Sequence, residues 1–244
     1  MEIPRRLVRA LQLGTVIVVA AVLAGCTTTV AGSAQAAASR PSSSHPTGTP
    51  TTGQSTPSVP AKVPGWQVVV ATKAGIAYDA PPDWKVQTPD TVVGFQDPQG
   101  NPVVTMNYAA VYKAGYCTGH SGSFRAESGI NSVPTADPGQ AASDLAQKVA
   151  MAAYTNGSVT PTVTAGTPQP ITVAGDNGMV VRDTLTVTPQ SSCDPPGAEV
   201  YVVALPLAQP NTGCGVMVVV ADQGTPDAAA DQELQQMIGS LRAG

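Results

Sequence analysis

The sequence predicts an α+β domain in which a mainly antiparallel sheet is covered by helices. Apolar and polar residues alternate over 179–187, as in a half-buried strand. Two apolar segments, 198–207 and 214–221, flank a turn and predict a hairpin. Capped helices are predicted to begin at Asp137 and Thr225. Consecutive strands with two inserted helices are typical of a two-layer sandwich.

The first part of the domain predicts further strands. Segments 66–71 and 75–79 are joined by a tight turn, and a short strand is predicted at 91–96. Residues 103–112 alternate clearly, which predicts a longer strand with one buried face. Residues 113–136 are rich in glycine and serine, show no clear period and are assigned no element.

Both helices carry recognisable start motifs. Asp137 supplies an N-cap, a proline follows it, and Gln140 can reach back to the cap. In the second helix, Thr225 is the expected cap and Asp227 lies in the positive end of the helix dipole. The apolar stripe of the first helix comprises Ala141, Leu145, Val149 and Ala152.

The amino-terminal segment 1–25 has the organisation of a signal peptide. Arginines at positions 5, 6 and 9 precede an apolar stretch at 13–23, which is too short to cross a bilayer as a permanent helix. Small residues then lead to a cysteine in the sequence Val22-Leu23-Ala24-Gly25-Cys26. This segment resembles bacterial lipoprotein signals.

That resemblance implies cleavage before Cys26 and a lipid on its thiol. The protein would then be held at the extracytoplasmic face of the cell membrane. The alternative is an ordinary secretory signal cut at the small residues 34–36, with Cys26 discarded. The pair Arg5-Arg6 also suggests a twin-arginine signal, but its surroundings match that pattern poorly.

Residues 26–62 predict a disordered tether. Between positions 27 and 62, 20 of the 36 residues are Ser, Thr or Pro, and none is acidic or aromatic. Such a segment buries too little apolar area to offset its ordering entropy. The folded domain is therefore expected to span 63–244.

The charge of this domain argues against nucleic-acid binding. Residues 63–244 contain 7 Lys and Arg against 15 Asp and Glu, a net charge of −8. An acidic surface repels phosphate backbones, and aromatic residues make up only 4% of the chain, which leaves few stacking platforms for bases.

A wider resemblance covers about 180 residues of the chain. The motif Ala80-Pro81-Pro82-Asp83-Trp84-Lys85-Val86 after a strand pair, and a final helix ending Met237-Ile238-Gly239-Ser240-Leu241-Arg242, resemble actinobacterial lipoproteins with a PsbP-like α/β/α sandwich, including the LpqN type. Segments 115–117, 193–196 and 221–224 also resemble an uncharacterised actinobacterial lipoprotein domain. The resemblance implies a fold and carries no catalytic residues.

Three cysteines remain in the domain. Cys193 precedes the first strand of the predicted hairpin and Cys214 opens the second, so these two lie at opposite ends of the hairpin and cannot bond. Cys117 and Cys193 both lie in loops, which favours a disulfide between them. Cys214 is then a small buried hydrophobe.

A catalytic or metal site finds little support in the sequence. Residues 119–123 approach a hydrolase nucleophile elbow, but His120 is the only histidine of the domain and adjoins Ser121, its supposed nucleophile. No zinc or calcium spacing is present, and neither a metal nor another cofactor is expected. Acids such as Asp222 and Asp227 are interpreted as solvated charges near the last helix.

Asp183 is the one carboxylate that the strand pattern places on an apolar face. A buried carboxylate must be paired, protonated or used. Asp183 is therefore a candidate for a structural pair or an acceptor on a pocket floor. The alternative is that the phase of the strand is misjudged.

The combined expectation is a non-enzymatic, lipid-anchored envelope protein whose domain has a binding or accessory role outside the membrane, with an unknown envelope protein or an apolar ligand as its partner. The first alternative is a carrier of an apolar small molecule or lipid, which needs a cavity of several hundred Å³. The second alternative is an extracytoplasmic hydrolase acting through Ser121, which needs a buried acid or base beside it.

Overall fold

The computed structural model describes residues 59–244, except 98 and 209–211. The predicted signal peptide, Cys26 and nearly all of the predicted tether lie outside these residues, as does most of the hairpin turn. The described elements are β1 Gln67–Ala71, β2 Ile76–Ala80, β3 Lys85–Val86, β4 Val93–Gln96, β5 Pro102–Tyr112, β6 Ala126–Val133, α1 Pro138–Tyr154, β7 Thr162–Thr164, β8 Gln169–Val173, β9 Asp176–Thr186, β10 Gly197–Pro206, β11 Cys214–Gln223, α2 Asp231–Gly239 and β12 Arg242–Ala243.

Antiparallel sheet dominates the fold. The large sheet has the strand order β3-β5-β6-β11-β10-β9-β7, with β4 paired to β5 and β8 paired to β9. A smaller sheet has the order β1-β2-β12. Strands account for 43% of the described residues and helices for 14%.

The predicted α+β sandwich covered by helices is therefore wrong. Helix α1 packs on one face of the large sheet, but the opposite face is covered largely by the small sheet, and α2 adds only nine residues there. The strands β1 and β2 were predicted as two short segments joined by a turn. The sequence of these segments does not reveal that they form a separate sheet covering the large one, because a strand's pairing partners are set by residues distant in sequence.

Strands β10 and β11 form the centre of the large sheet. They pair in register from Gly197 opposite Gln223 to Pro206 opposite Cys214. The apolar run 216–220 is buried on both faces, as its lack of alternation predicted. Alternate residues of these strands enter the two core clusters on either side of the sheet.

Strand β6 lies between β5 and β11, within the segment that was assigned no element. Its sequence Ala-Glu-Ser-Gly-Ile-Asn-Ser-Val has poor strand propensity. Gly129 is needed there because a Cβ atom at this position would lie 2.7 Å from Met106 Cβ. Residues 126–133 thus form a strand through close packing against β5, although their intrinsic strand propensity is low.

The helix starts were predicted with mixed success. Asp137 caps α1 and accepts the N–H of Gln140 at 2.7 Å, which confirms the predicted cap. Helix α2 begins at Asp231 rather than near Thr225. Residues 225–228 form a single turn, in which the Asp227 carboxylate contacts Arg125 instead of the start of a helix.

A buried carboxylate fastens the beginning of the domain. Asp79 Oδ2 accepts the backbone N–H groups of Lys62 at 2.7 Å and Val63 at 2.8 Å, and Asp79 Oδ1 pairs with Arg242 at 2.6 Å. Both ends of the folded region therefore meet at one side chain. Neither of the helices described here is long and apolar enough to cross a membrane.

Candidate functional site

The structure contains the predicted disulfide between Cys117 and Cys193, whose Cα atoms are 5.7 Å apart. It joins the loop before β6 to the loop before β10. Cys214 is a buried free cysteine whose thiol lies 3.6 Å from the carbonyl oxygen of Ala136. Burial raises the pKa of this thiol, which suits a hydrophobic core residue rather than a nucleophile.

Asp183 is buried on the predicted apolar face of β9, so the phase of the strand was judged correctly. Its Oδ1 accepts the N–H of Gly166 at 2.9 Å. Burial raises the pKa of this carboxyl group, and the bond from Gly166 opposes that rise. Asp183 thus holds a loop against the sheet, and it does not line the cavity described below.

The segment 119–122, which contains His120 and Ser121, is exposed in the loop closed by the disulfide. The hydroxyl of Ser123 accepts the N–H of Cys117 at 3.0 Å and is engaged in the structure of that loop. Ser121 therefore has the environment of an exposed loop residue.

A buried ion pair that the sequence did not reveal lies beside the disulfide. Arg125 Nη1 donates to Asp222 Oδ2 at 3.0 Å, and the two residues are 7% and 4% exposed. They are neighbours because β6 and β11 pair: the N–H of Asp222 also donates to the carbonyl oxygen of Arg125 at 2.7 Å. The interpretation of Asp222 as a solvated charge is therefore wrong.

Three further side chains complete this cluster. The Tyr154 hydroxyl donates to Asp222 Oδ1 at 3.0 Å, and Asp227 Oδ1 lies 3.0 Å from Arg125 Nε. The Arg125 guanidinium carbon lies 3.7 Å from the centroid of the Tyr116 ring, in cation–π contact. The Tyr116 hydroxyl in turn donates to the Cys193 carbonyl oxygen at 2.6 Å.

The cluster forms part of the wall of a cavity of about 270 Å³, which we call the Asp222 cavity. It lies between the end of α1, the disulfide-linked loops and the end of β11. Its lining combines aromatic, hydroxyl, amide and acidic side chains with small apolar ones. The lining residues are Tyr116, Ser123, Phe124, Ala153, Tyr154, Thr155, Asn156, Val159, Thr160, Val187, Thr188, Asp194, Pro195, Val220 and Asp222.

Residues 59–244 match the family model described as a domain of unknown function, DUF8017. The chain belongs to this family. None of the curated proteins compared with the chain matches it. The match includes the whole Asp222 cavity, so the cavity is a feature of the DUF8017 domain itself.

Burial is the main influence on the ionisable groups of the DUF8017 domain at this site. It raises the pKa of Asp222 to about 6, and hydrogen bonds from Arg125 and Tyr154 oppose the rise. Burial and the nearby Asp222 carboxylate raise the pKa of Tyr154 well above its ordinary value. Asp222 is therefore mostly ionised at neutral pH, and Tyr154 is a neutral hydrogen-bond donor.

A second ionic cluster of the DUF8017 domain lies on the opposite face of the large sheet. Arg182 contacts Glu199 and lies 3.0 Å from Asp231. The single O–H of Tyr201 can donate to either carboxylate, since its oxygen lies 2.9 Å from Glu199 Oε2 and 2.8 Å from Asp231 Oδ1. It joins β9 and β10 to the start of α2. Its members satisfy one another, so we assign it a structural role.

Within the described part of the DUF8017 domain, no group of three or more histidine, cysteine or acidic residues could hold a metal. One sign of the Asp222 site was readable from the sequence, since Asp222 directly follows the apolar run of β11. Its partners Arg125 and Tyr154 are 97 and 68 positions away, and no local pattern links them to it.

Proposed function

We propose that this protein is anchored by a lipid on Cys26 to the extracytoplasmic face of a cell membrane, and that its DUF8017 domain binds a ligand there without catalysing a reaction. The arginines, short apolar stretch and small residues before Cys26 support the anchor. The disulfide of the domain supports an oxidising compartment, because such bonds persist outside the cytosol.

The Asp222 cavity is the observation that carries the binding function. Its walls are held in place before any ligand arrives, since Arg125 is fixed by Asp222, Asp227 and Tyr116. A preformed pocket binds without the entropic cost of ordering its own side chains. Neither histidine nor cysteine lines it, and its Ser123 hydroxyl is engaged by Cys117, which favours binding over nucleophilic catalysis.

A carrier of an apolar molecule is the second candidate function. The observation that favours it is a groove of about 690 Å³ beside α1, which includes the exposed side chain of Met151. The sheet faces themselves are filled by two packed clusters of side chains. The groove is therefore open at the surface and does not enclose a ligand, so we rank the carrier below the Asp222 cavity.

Native mass spectrometry of the full chain after exposure to a cell-envelope extract tests the binding function. We expect a non-covalent adduct on the unsubstituted chain and on Asp176→Asn, which removes an exposed carboxylate outside the cavity. Asp222→Asn should lack the adduct. An adduct retained by Asp222→Asn but lost from Met151→Asp would favour the carrier, and a chain that acquires no adduct would contradict both functions.

A further inference from the structure

We propose that the Asp222 cavity takes a small organic cation that carries a primary amine. This inference rests on the proposed binding function and names the class of ligand. It follows from the charges that line the cavity, the unused hydrogen-bonding capacity of its carboxylates, the chemistry of its walls and its size.

The charged residues that line the cavity are both acidic. Asp194 and Asp222 belong to the lining, whereas Arg125 does not. Arg125 is held behind the wall by Asp222 and Asp227 and against the Tyr116 ring, so its charge is already committed. A cation entering the cavity gains from this field, and an anion is repelled by it.

Both carboxylates retain acceptor capacity. Each Asp222 oxygen accepts one described hydrogen bond, from Arg125 or Tyr154, and a carboxylate oxygen can accept two. Asp194 Oδ2 accepts the N–H groups of Gln190 and Ser191 at 2.8 and 3.0 Å. Among the described residues none donates to Asp194 Oδ1, which is therefore available to a ligand.

The remaining walls suit an ammonium group on a short carbon chain. Tyr116, Phe124 and Tyr154 present aromatic rings, which attract cations and pack against methylene groups. Hydroxyl and amide oxygens of the lining, such as those of Thr188 and Asn156, accept hydrogen bonds. A primary ammonium has three N–H donors for such acceptors, whereas a quaternary ammonium has none.

The volume limits the ligand to a small molecule. A cavity of 270 Å³ corresponds to about nine water molecules at about 30 Å³ each. A short amine of this size fits, but a lipid or a folded protein segment does not. The net charge of −8 on residues 63–244 also attracts cations towards the domain.

Three probes of one chain length separate charge from shape: 1,4-diaminobutane, 1,4-butanediol and succinate. Calorimetric titration of the full chain should show binding of the diamine, with the diol much weaker and succinate absent. Protein NMR should place the diamine at the resonances of Tyr154 and Thr155. Asp222→Asn and Asp194→Asn should each lower the affinity for the diamine about tenfold or more, as expected for loss of a charged hydrogen-bond acceptor.

Asp176→Asn is the matched control, because it removes one exposed negative charge outside the cavity and should leave affinity within about twofold. Asp194→Asn keeps an oxygen for Gln190 and Ser191, so it tests the idea even if Asp222→Asn disturbs folding. Equal binding of the three probes at the cavity would overturn the amine assignment but leave the binding function standing. Absence of diamine binding, or diamine binding that neither Asp222→Asn nor Asp194→Asn weakens, would overturn the inference. The proposed binding function is tested separately, by the envelope-extract experiment.

Discussion

Arg125 Nη1 lies 3.0 Å from Asp222 Oδ2, and both side chains are almost completely removed from solvent. Each charge is acceptable in the interior because the other is present. The pair joins the residue before β6 to β11 and supports one wall of the Asp222 cavity. Stability and binding are therefore coupled at this contact.

Arg125→Met should destabilise the domain by about 3 kcal/mol or more, because it leaves the Asp222 carboxylate buried without its charged partner. Chemical denaturation at neutral pH measures the change. Lys73→Met is the control, since Lys73 is exposed in the turn between β1 and β2 and should change stability by about 0.5 kcal/mol or less. Equal losses of unfolding free energy in Arg125→Met and Lys73→Met would show that the Arg125–Asp222 pair makes no specific contribution to stability.

Glu127 predicts a pH dependence of stability. It is 5% exposed, its Oε1 has no hydrogen-bond partner among the described residues, and burial raises its pKa from 4.5 to about 7. Between pH 4.5 and about 7, the folded state keeps the proton of Glu127 while the unfolded state releases it. The unfolding free energy is therefore unaffected by Glu127 below pH 4.5 and falls as the pH rises to about 7. The shift corresponds to a loss of about 3 kcal/mol.

The test is to measure the unfolding free energy at pH 5 and pH 8 in the unsubstituted chain and in Glu127→Gln. The neutral amide cannot titrate, so the difference in unfolding free energy between the two pH values should shrink by about 2.5 kcal/mol, the part of the loss that falls between pH 5 and pH 8. Asp90→Asn removes an exposed carboxylate and should leave that difference unchanged. A pH dependence that survives intact in Glu127→Gln would assign it to other groups.

The Cys117–Cys193 disulfide closes a sequence separation of 76 residues. Replacing both cysteines with serine should lower stability by about 4 kcal/mol through the entropy of loop closure. The substitution also frees the Tyr116 and Cys193 loops beside the cavity, so diamine binding should weaken as well. Cys214→Ala provides the comparison, because it removes a buried thiol but no cross-link. Chemical denaturation of both variants measures the change in stability, and titration with the diamine measures the change in binding. A double serine variant as stable as Cys214→Ala would contradict the predicted loss of stability.

The sequence was informative where structure is local. The cap at Asp137 and the two-faced burial of 216–220 depend on neighbouring residues, and both were predicted. Strand β6 was missed because its conformation depends on β5 and β11 rather than on its own propensity. Helix α2 starts later than predicted, and Asp227 of the expected helix start instead contacts Arg125, which is distant in sequence.

The same distinction applies to the site. Loop positions were enough to pair Cys117 with Cys193, and strand phase was enough to bury Asp183. The Asp222 cavity escaped prediction because its parts come from the end of α1, from β11 and from the loops before β6, after α1, after β9 and before β10. Only the pairing of the strands brings these parts together, and no spacing in the sequence encodes it.

The claim that this domain works at a membrane is tested most directly by fractionating cells that express the full chain or its Cys26→Ser variant. We expect the unsubstituted chain and Cys214→Ser to sediment with membranes. Cys26→Ser should be released into the soluble extracytoplasmic fraction because it has no thiol to carry the lipid. Retention of Cys26→Ser in the membrane to the same extent as the unsubstituted chain would contradict anchoring through Cys26.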